Sequence, residues 1–363
     1  MGKLTIVYGG QFGSEGKGQI VAHIAERHSP DIAVRVGGPN AGHTFLLPNG
    51  SKQVVQTIPA PVFISKDTFA VIGAAGLIIP HVFARELSEA TKIMGRTPGI
   101  IIDECAGIIT EEHMKREADL KKSIGSTGEG VGAATADKIM RVPSFTLQDE
   151  KTRKDFLDTV KEKGPATGIW IKPDTAMYLN SALADGMDVI IEGTQGVGLS
   201  LHTSGYYPFC TSRECTPQGM LAQTGISEEN ARVVEKLMVV RTYPIRVGGN
   251  SGDLANEISW KELKQISGGY VQDPEITTVT KKKRRIAEID YEMLIRNVRI
   301  TRPTGLALTF FDYWYPEIAT ATDPSALGKE HWNTINNVET ELGVPVKYLS
   351  TGFGTVIPLR ITL

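Results

Sequence analysis

The chain has 363 residues, more than the usual single-domain mode, so one large α/β domain with insertions or two domains is expected. Its 39 basic and 41 acidic residues leave a formal charge of −2, which gives no global pull toward nucleic acid or anionic lipid. The opening MGKLTIVYGG lacks signal-peptide architecture and no apolar run approaches a membrane span; three cysteines without a CxxC pair argue against a disulfide framework and point to a reducing cytoplasm.

The first informative stretch is GGQFGSEGKGQ at residues 9–19. It follows a β-branched and aromatic run at 4–8 that reads as a buried strand, and it precedes residues 20–27, whose apolar spacing reads as a helix. Glycines in such a turn let backbone N–H groups point inward, and the helix N-terminus adds partial positive charge, so the turn is expected to take an anion, phosphate above all. It departs from the standard P-loop. Five residues rather than four separate Gly10 from Gly16-Lys17, and Gly18 stands where a magnesium-holding hydroxyl belongs. Ser14, Glu15 or a backbone carbonyl elsewhere would then ligate any metal.

Residues 32–36 read as a second buried strand that empties into GGPNAGHT, where Asn40 offers an amide and His43 an imidazole. A histidine at a strand's carboxyl end, beside glycines, stands where open α/β sheets bind ligands, and could donate to a developing oxyanion. Strands at 69–73 and 100–103 flank a helix at 78–94, the βαβ signature. Residues 124–141 form a second glycine-rich loop with Ser126 and Thr127, leading into a helix and predicting a second phosphate-sized site.

After a charged helix-like segment at 148–163, a strand at 188–192 delivers GTQGVG and then YPFCTS, with Gln195 and Thr211 as neutral hydrogen-bonders. Cys210, Cys215 and His202 are too few for a four-ligand metal site. Residues 238–250 form another strand-and-glycine unit. The KKKRR run at 281–285 is either a solvated face or an anion site for a carboxylate substrate. Residues 306–312 and 346–352 read as two last strands, each ending in polar residues suited to a nucleobase edge.

Taken together, GGQFGSEGKGQI, GGPNAGHT, GSTGEGVG, EGTQGVG with YPFCTS, RTYPIRVGG and LSTG resemble, in order and over nearly the whole chain, the adenylosuccinate synthetase family. The resemblance implies a single α/β domain over residues 1–363, built on a large mostly parallel sheet with inserted helical segments and working as a homodimer. It implies the Mg2+- and nucleoside-triphosphate-dependent joining of L-aspartate to C6 of a 6-oxopurine monophosphate. The triphosphate loop would be Gly13, Ser14, Glu15, Gly16, Lys17 and Gly18, with Gly42, His43, Thr44, Asp312, Ser350 and Gly352 completing that site. Lys17 would neutralise the transferring phosphoryl group, His43 would be the acid at O6, and Gly42 would give a carbonyl to magnesium. The monophosphate site would comprise Ser14, Asn40, Ser126, Thr127, Gln195, Thr211 and Val247, joined by Arg141 from the neighbouring subunit. Thr278, Val279, Thr280, Lys282 and Arg284 would bind aspartate.

Three departures from the family pattern are informative. Ser14 stands where the family has an aspartate that removes the purine N1 proton and helps bind magnesium, and serine cannot be that base unaided. The change removes charge and volume where a guanine 2-amino group would project, as in the phage branch, the N6-succino-2-amino-deoxyadenylate synthases, which act on dGMP. Lys282 replaces an arginine near the 2′-hydroxyl, which would suit deoxyribose. Thr309-Phe310-Phe311-Asp312 lacks the lysine of the guanine-reading Thr-Lys-x-Asp: loss of the lysine favours ATP, retention of Asp312 favours GTP. Two alternatives stand beside the dGMP ligase, namely an ordinary synthetase acting on IMP with GTP, and an inactive purine-nucleotide-binding protein.

Overall fold

The computed structural model describes residues 1–165, 167–276 and 283–360. Its centre is a ten-stranded sheet in the order Thr355–Pro358, Val346–Gly352, Gly305–Thr309, Val233–Arg241, Lys3–Gly9, Val189–Gly196, Ile32–Val36, Phe69–Ile72, Ile100–Asp103 and Ile169–Lys172. All neighbours are parallel except the first pair, which is an antiparallel hairpin at one edge.

Period-2 alternation distributes the strands' side chains between two cores, and helices cover both faces, as a parallel sheet requires. In the central strand, Val7 joins a core with Ile20, Phe83 and Phe156, beneath the helices Lys17–His28, Pro80–Met94 and Glu150–Lys163. Leu4, Ile6 and Tyr8 point the other way, into a core with Leu179, Met220, Leu294 and Ile335 from the helices Thr175–Ala184, Pro217–Thr224, Tyr291–Thr301 and Lys329–Leu342.

The expected α/β class with its mostly parallel sheet is the class observed, and several boundaries move for local reasons. The first helix begins at Lys17 rather than residue 20, because Gly16, at φ 86°, turns the chain so that Lys17 and Gly18 form the first turn. The helix expected from residue 78 begins at Pro80, whose missing N–H costs nothing there. The strand unit expected at 238–250 divides. Val233–Arg241 stays in the main sheet, and beyond Pro244 the chain enters a small antiparallel sheet formed by Ile245–Arg246, Arg285–Ala287 and Glu257–Ile258. The four-residue edge strand Ile169–Lys172 went unread, since its short alternation carries little signal.

Candidate active site

Open parallel sheets bind ligands beyond the carboxyl ends of their strands, at the point where the chain's direction of winding reverses. Here Lys3–Gly9 is that point. After it the chain winds one way through Ile32–Val36, Phe69–Ile72, Ile100–Asp103 and Ile169–Lys172, returns to insert Val189–Gly196, and then winds the other way through Val233–Arg241, Gly305–Thr309 and Val346–Gly352. Residues just past these strand ends wall a cavity of about 670 Å³, lined by residues drawn from segments 12–19, 40–44, 245–247, 270–273, 309–313 and 350–353 together with Thr127, Gln195 and Arg284.

The first glycine loop is built around its own carboxylate. Glu15 is wholly buried and accepts from the backbone N–H of Gly13 at 2.7 Å and of Gln11 at 3.2 Å, while Lys17 Nζ reaches it at 2.5 Å. Two of the loop's N–H groups, those of Gln11 and Gly13, are therefore taken up by Glu15, which serves as the internal frame of the loop. Gly18 explains the missing P-loop hydroxyl. A Cβ there would lie 2.8 Å from His43 Cβ, so the helix start packs directly on the next loop.

The second glycine loop follows the same rule. Glu117 accepts from the N–H groups of Gly130 and Ala133 at 2.9 and 3.0 Å and from that of Gly132, so the helix N-terminus after the loop is already capped by an anion. Thr127 lines the cavity, whereas Ser126 turns its hydroxyl inward to accept from the Gly128 N–H at 3.1 Å.

His43 is buried at the cavity wall and its Nδ1–H donates to Glu192 at 2.5 Å. Arg35 also pairs with Glu192, and it fixes the loop by donating to the Ala41 carbonyl at 2.7 Å. Burial, and then the Arg35 charge, push the His43 pKa down to about 4. Burial alone would raise the Glu192 carboxyl, but Arg35 and His43 outweigh it and hold the group below its ordinary value. With Nδ1 committed to Glu192, Nε2 is the nitrogen left for chemistry.

Ser14 is exposed, in the left-handed region at φ 56°. Its carbonyl accepts from Arg241 Nη1 at 3.1 Å. Arg241 is fully buried, donates to Glu275 at 2.6 Å, and lies over the Phe310 ring at 3.8 Å. Glu275 also takes Arg284 at 2.8 Å and the Tyr313 hydroxyl at 3.2 Å. One ion network thus joins Ser14, Phe310 and Arg284, and Glu275 already occupies one arm of the expected carboxylate fork. Beside it, the Tyr270 hydroxyl donates to Asp312 Oδ2 at 2.9 Å.

Of the residues expected to bind ligands, Ser14, Gly16, Lys17, Gly18, Asn40, Gly42, His43, Thr44, Thr127, Gln195, Val247, Arg284, Asp312, Ser350 and Gly352 line this one cavity. Gly13, Glu15, Ser126, Thr211 and Arg141 lie outside its lining. Thr278, Val279, Thr280 and Lys282 lie outside the described residues. Among the described residues no three His, Cys, Asp or Glu side chains gather for a metal. Ser14 and Gly42 can give neutral oxygens, a set that suits Mg2+ held chiefly by phosphate oxygens. Arg35, Glu192, Arg241 and Glu275 escaped the sequence reading. For the first three the available signal is a charged residue at or near the end of an otherwise apolar strand, as in IAVRV, VIIEG and LMVVR, whereas Glu275 lies outside the strands and carries none.

The chain matches the family model described as adenylosuccinate synthetase over residues 6–166 and 171–314. The adenylosuccinate synthetases of Methanocaldococcus jannaschii and Pyrococcus horikoshii are 36% and 37% identical over 352 residues, spanning 96% of this chain and 94% and 95% of theirs. Among solved structures, the succinoaminodeoxyadenylate synthetase of cyanophage S-2L, bound to dGMP and dATP as an energy donor, aligns with a TM-score of 0.79 at 24% identity, over 99% of this chain and 96% of its own. The fully ligated adenylosuccinate synthetase of Plasmodium falciparum aligns with a TM-score of 0.79 at 21% identity, over 98% and 99%. Both structures share the fold of this chain.

Proposed function

Because the chain belongs to the adenylosuccinate synthetase family, nucleotide-dependent carbon–nitrogen ligases that use Mg2+, we propose that it joins L-aspartate to C6 of dGMP at the expense of ATP, as in the phage branch of that family. The observation that carries the reading is Ser14. It sits exposed on the wall of the cavity that Lys17 and His43 also line, and, where the resemblance places a carboxylate that would meet a guanine 2-amino group, it brings a small neutral hydroxyl. The cyanophage fold neighbour bound to dGMP and dATP supports it.

In this reading the γ-phosphoryl group passes from ATP to O6, ADP leaving with the electron pair of the cleaved P–O bond and the N1 proton passing to solvent water, which turns a poor leaving group into a good one. The aspartate amine then attacks C6, and phosphate departs with the C–O electron pair. Lys17 stabilises the charge on the transferring phosphoryl group. His43, held by Glu192, faces O6 through Nε2 and assists departure when protonated, the resulting imidazolium being stabilised by the Glu192 carboxylate. Asn40, Thr127 and Gln195 hold the 5′-phosphate. Arg284, with the segment before it, receives aspartate. When bound, Mg2+ neutralises triphosphate charge, with Ser14 and Gly42 as its protein oxygens.

The curated relatives support a second reading, in which the substrate is IMP. Phosphate release measured with aspartate, Mg2+ and ATP separates the two: dGMP is consumed and IMP barely, and Ser14→Asp shifts the preference toward IMP. The reverse preference in the unaltered protein would sink the dGMP assignment, and turnover of neither would sink both.

A further inference from the structure

We infer that Tyr270 sets the base preference of the triphosphate site, by engaging one oxygen of Asp312 and so withholding the two-oxygen contact that a guanine edge requires. The inference rests on the ligase reading above for where the triphosphate lies. Phe310 and Asp312 follow the Gly305–Thr309 strand and line the same cavity as the first glycine loop, and a Cβ on Gly16 would sit 3.6 Å from Thr309 and 3.9 Å from Phe310. A base attached to phosphates held at that loop is therefore within reach of both residues.

Asp312 is buried. The Tyr270 hydroxyl donates to its Oδ2 at 2.9 Å, and Oδ1 has no hydrogen-bond partner among the described residues. Tyr270 is anchored in turn by the edge of Tyr313, ring centroids 6.4 Å apart at 72°. Guanine presents two adjacent donors, N1–H and the 2-amino group, which pair with a carboxylate through one in-plane lone pair on each oxygen, and the Tyr270 hydroxyl takes one of the lone pairs of Oδ2. Adenine presents one amine beside an acceptor nitrogen, so a carboxylate with one oxygen engaged loses nothing toward it. The Phe310 ring, with Arg241 on one side, gives a purine-tolerant stacking surface that does not discriminate between the bases. The clash in the sequence, where loss of the lysine favoured ATP and retention of Asp312 favoured GTP, resolves in favour of adenine: the aspartate is present but half-engaged.

Tyr270→Phe frees Oδ2 while preserving the ring packing. The ratio of kcat/KM for GTP to that for ATP should rise about tenfold, the effect of one good hydrogen bond to a charged acceptor. Adding Asp312→Asn to that variant should abolish the gain. Displacement of a fluorescent adenine nucleotide by ATP or by GTP, with neither dGMP nor aspartate present, should show the same shift in the absence of turnover. If dGMP is not turned over but the displacement ratio shifts, the substrate reading falls and the role of Tyr270 stands. An unchanged ratio in a Tyr270→Phe protein that melts like the unaltered one would overturn the inference.

Discussion

His43 combines two demands that conflict in water, a neutral ring at rest and a proton available when phosphate must leave. The fold meets both by burying the imidazole against Glu192 and Arg35, which pushes its pKa from the ordinary 6.5 down to about 4 while the carboxylate stands ready to stabilise a charged ring. The linkage has a definite sign. Between about pH 6.5 and 4 the unfolded chain binds a proton at this residue that the folded chain refuses, so stability falls as pH falls through that window. His43→Gln should lessen the slope of the stability curve there, leaving the share of His23, which burial also pushes down to about 4, read by thermal melts across the range, and should also lower turnover by about 10²-fold. A variant with the same pH slope as the unaltered protein would show that some other group titrates in this window, and a near-normal rate would remove His43 from the chemistry.

The loops derive their shape from close approach as much as from charge. At Gly18 an added Cβ would meet His43 Cβ at 2.8 Å and the Thr44 carbonyl at 3.1 Å, both parts of a strand that cannot retreat without moving the imidazole. Gly18→Ser, which restores the P-loop hydroxyl in sequence, should therefore cost stability of about 1–3 kcal/mol by overpacking and should depress turnover. Full activity with an unchanged melting temperature would mean that the two loops can separate freely. The same elements show what the sequence could and could not tell. The strands at 32–36, 100–103 and 346–352 were legible because apolar, β-branched runs end in glycine or polar residues, and the loops were legible because their glycines have no other use. The carboxylates that fill those loops were not legible. Glu15 reads as a metal or triphosphate ligand, and Glu117 carries no signal at all, until tertiary structure brings N–H groups to them from up to 16 residues away. Arg241 and Glu275 meet across 34 positions, a pairing for which no local pattern exists.

At the scale of the whole molecule, the cavity's expected phosphate end is conspicuous for its neutrality. Asn40, Thr127 and Gln195 offer hydrogen bonds but no charge, whereas a phosphomonoester brings about two negative charges that neutral groups alone hold weakly. The cation expected there, Arg141, is absent from its own chain's cavity lining and exposed just past the Val131–Ile139 helix, at φ 59°. Its neighbours Ile139 and Met140 are 67% and 74% exposed, an apolar pair beside a cation that a second copy would cover. A two-fold dimer in which each subunit lends Arg141 to the other satisfies both observations, and mixing tests it directly. Arg141→Ala and Lys17→Ala proteins should each be nearly inactive. Combined in equal amounts and allowed to exchange, they form mixed dimers in which one site receives both an intact Lys17 and the partner's intact Arg141, so about a quarter of full activity should return under random pairing. Failure to recover activity, with sedimentation showing that exchange had occurred, would place the phosphate's cation within the same chain and remove the reason for a shared site.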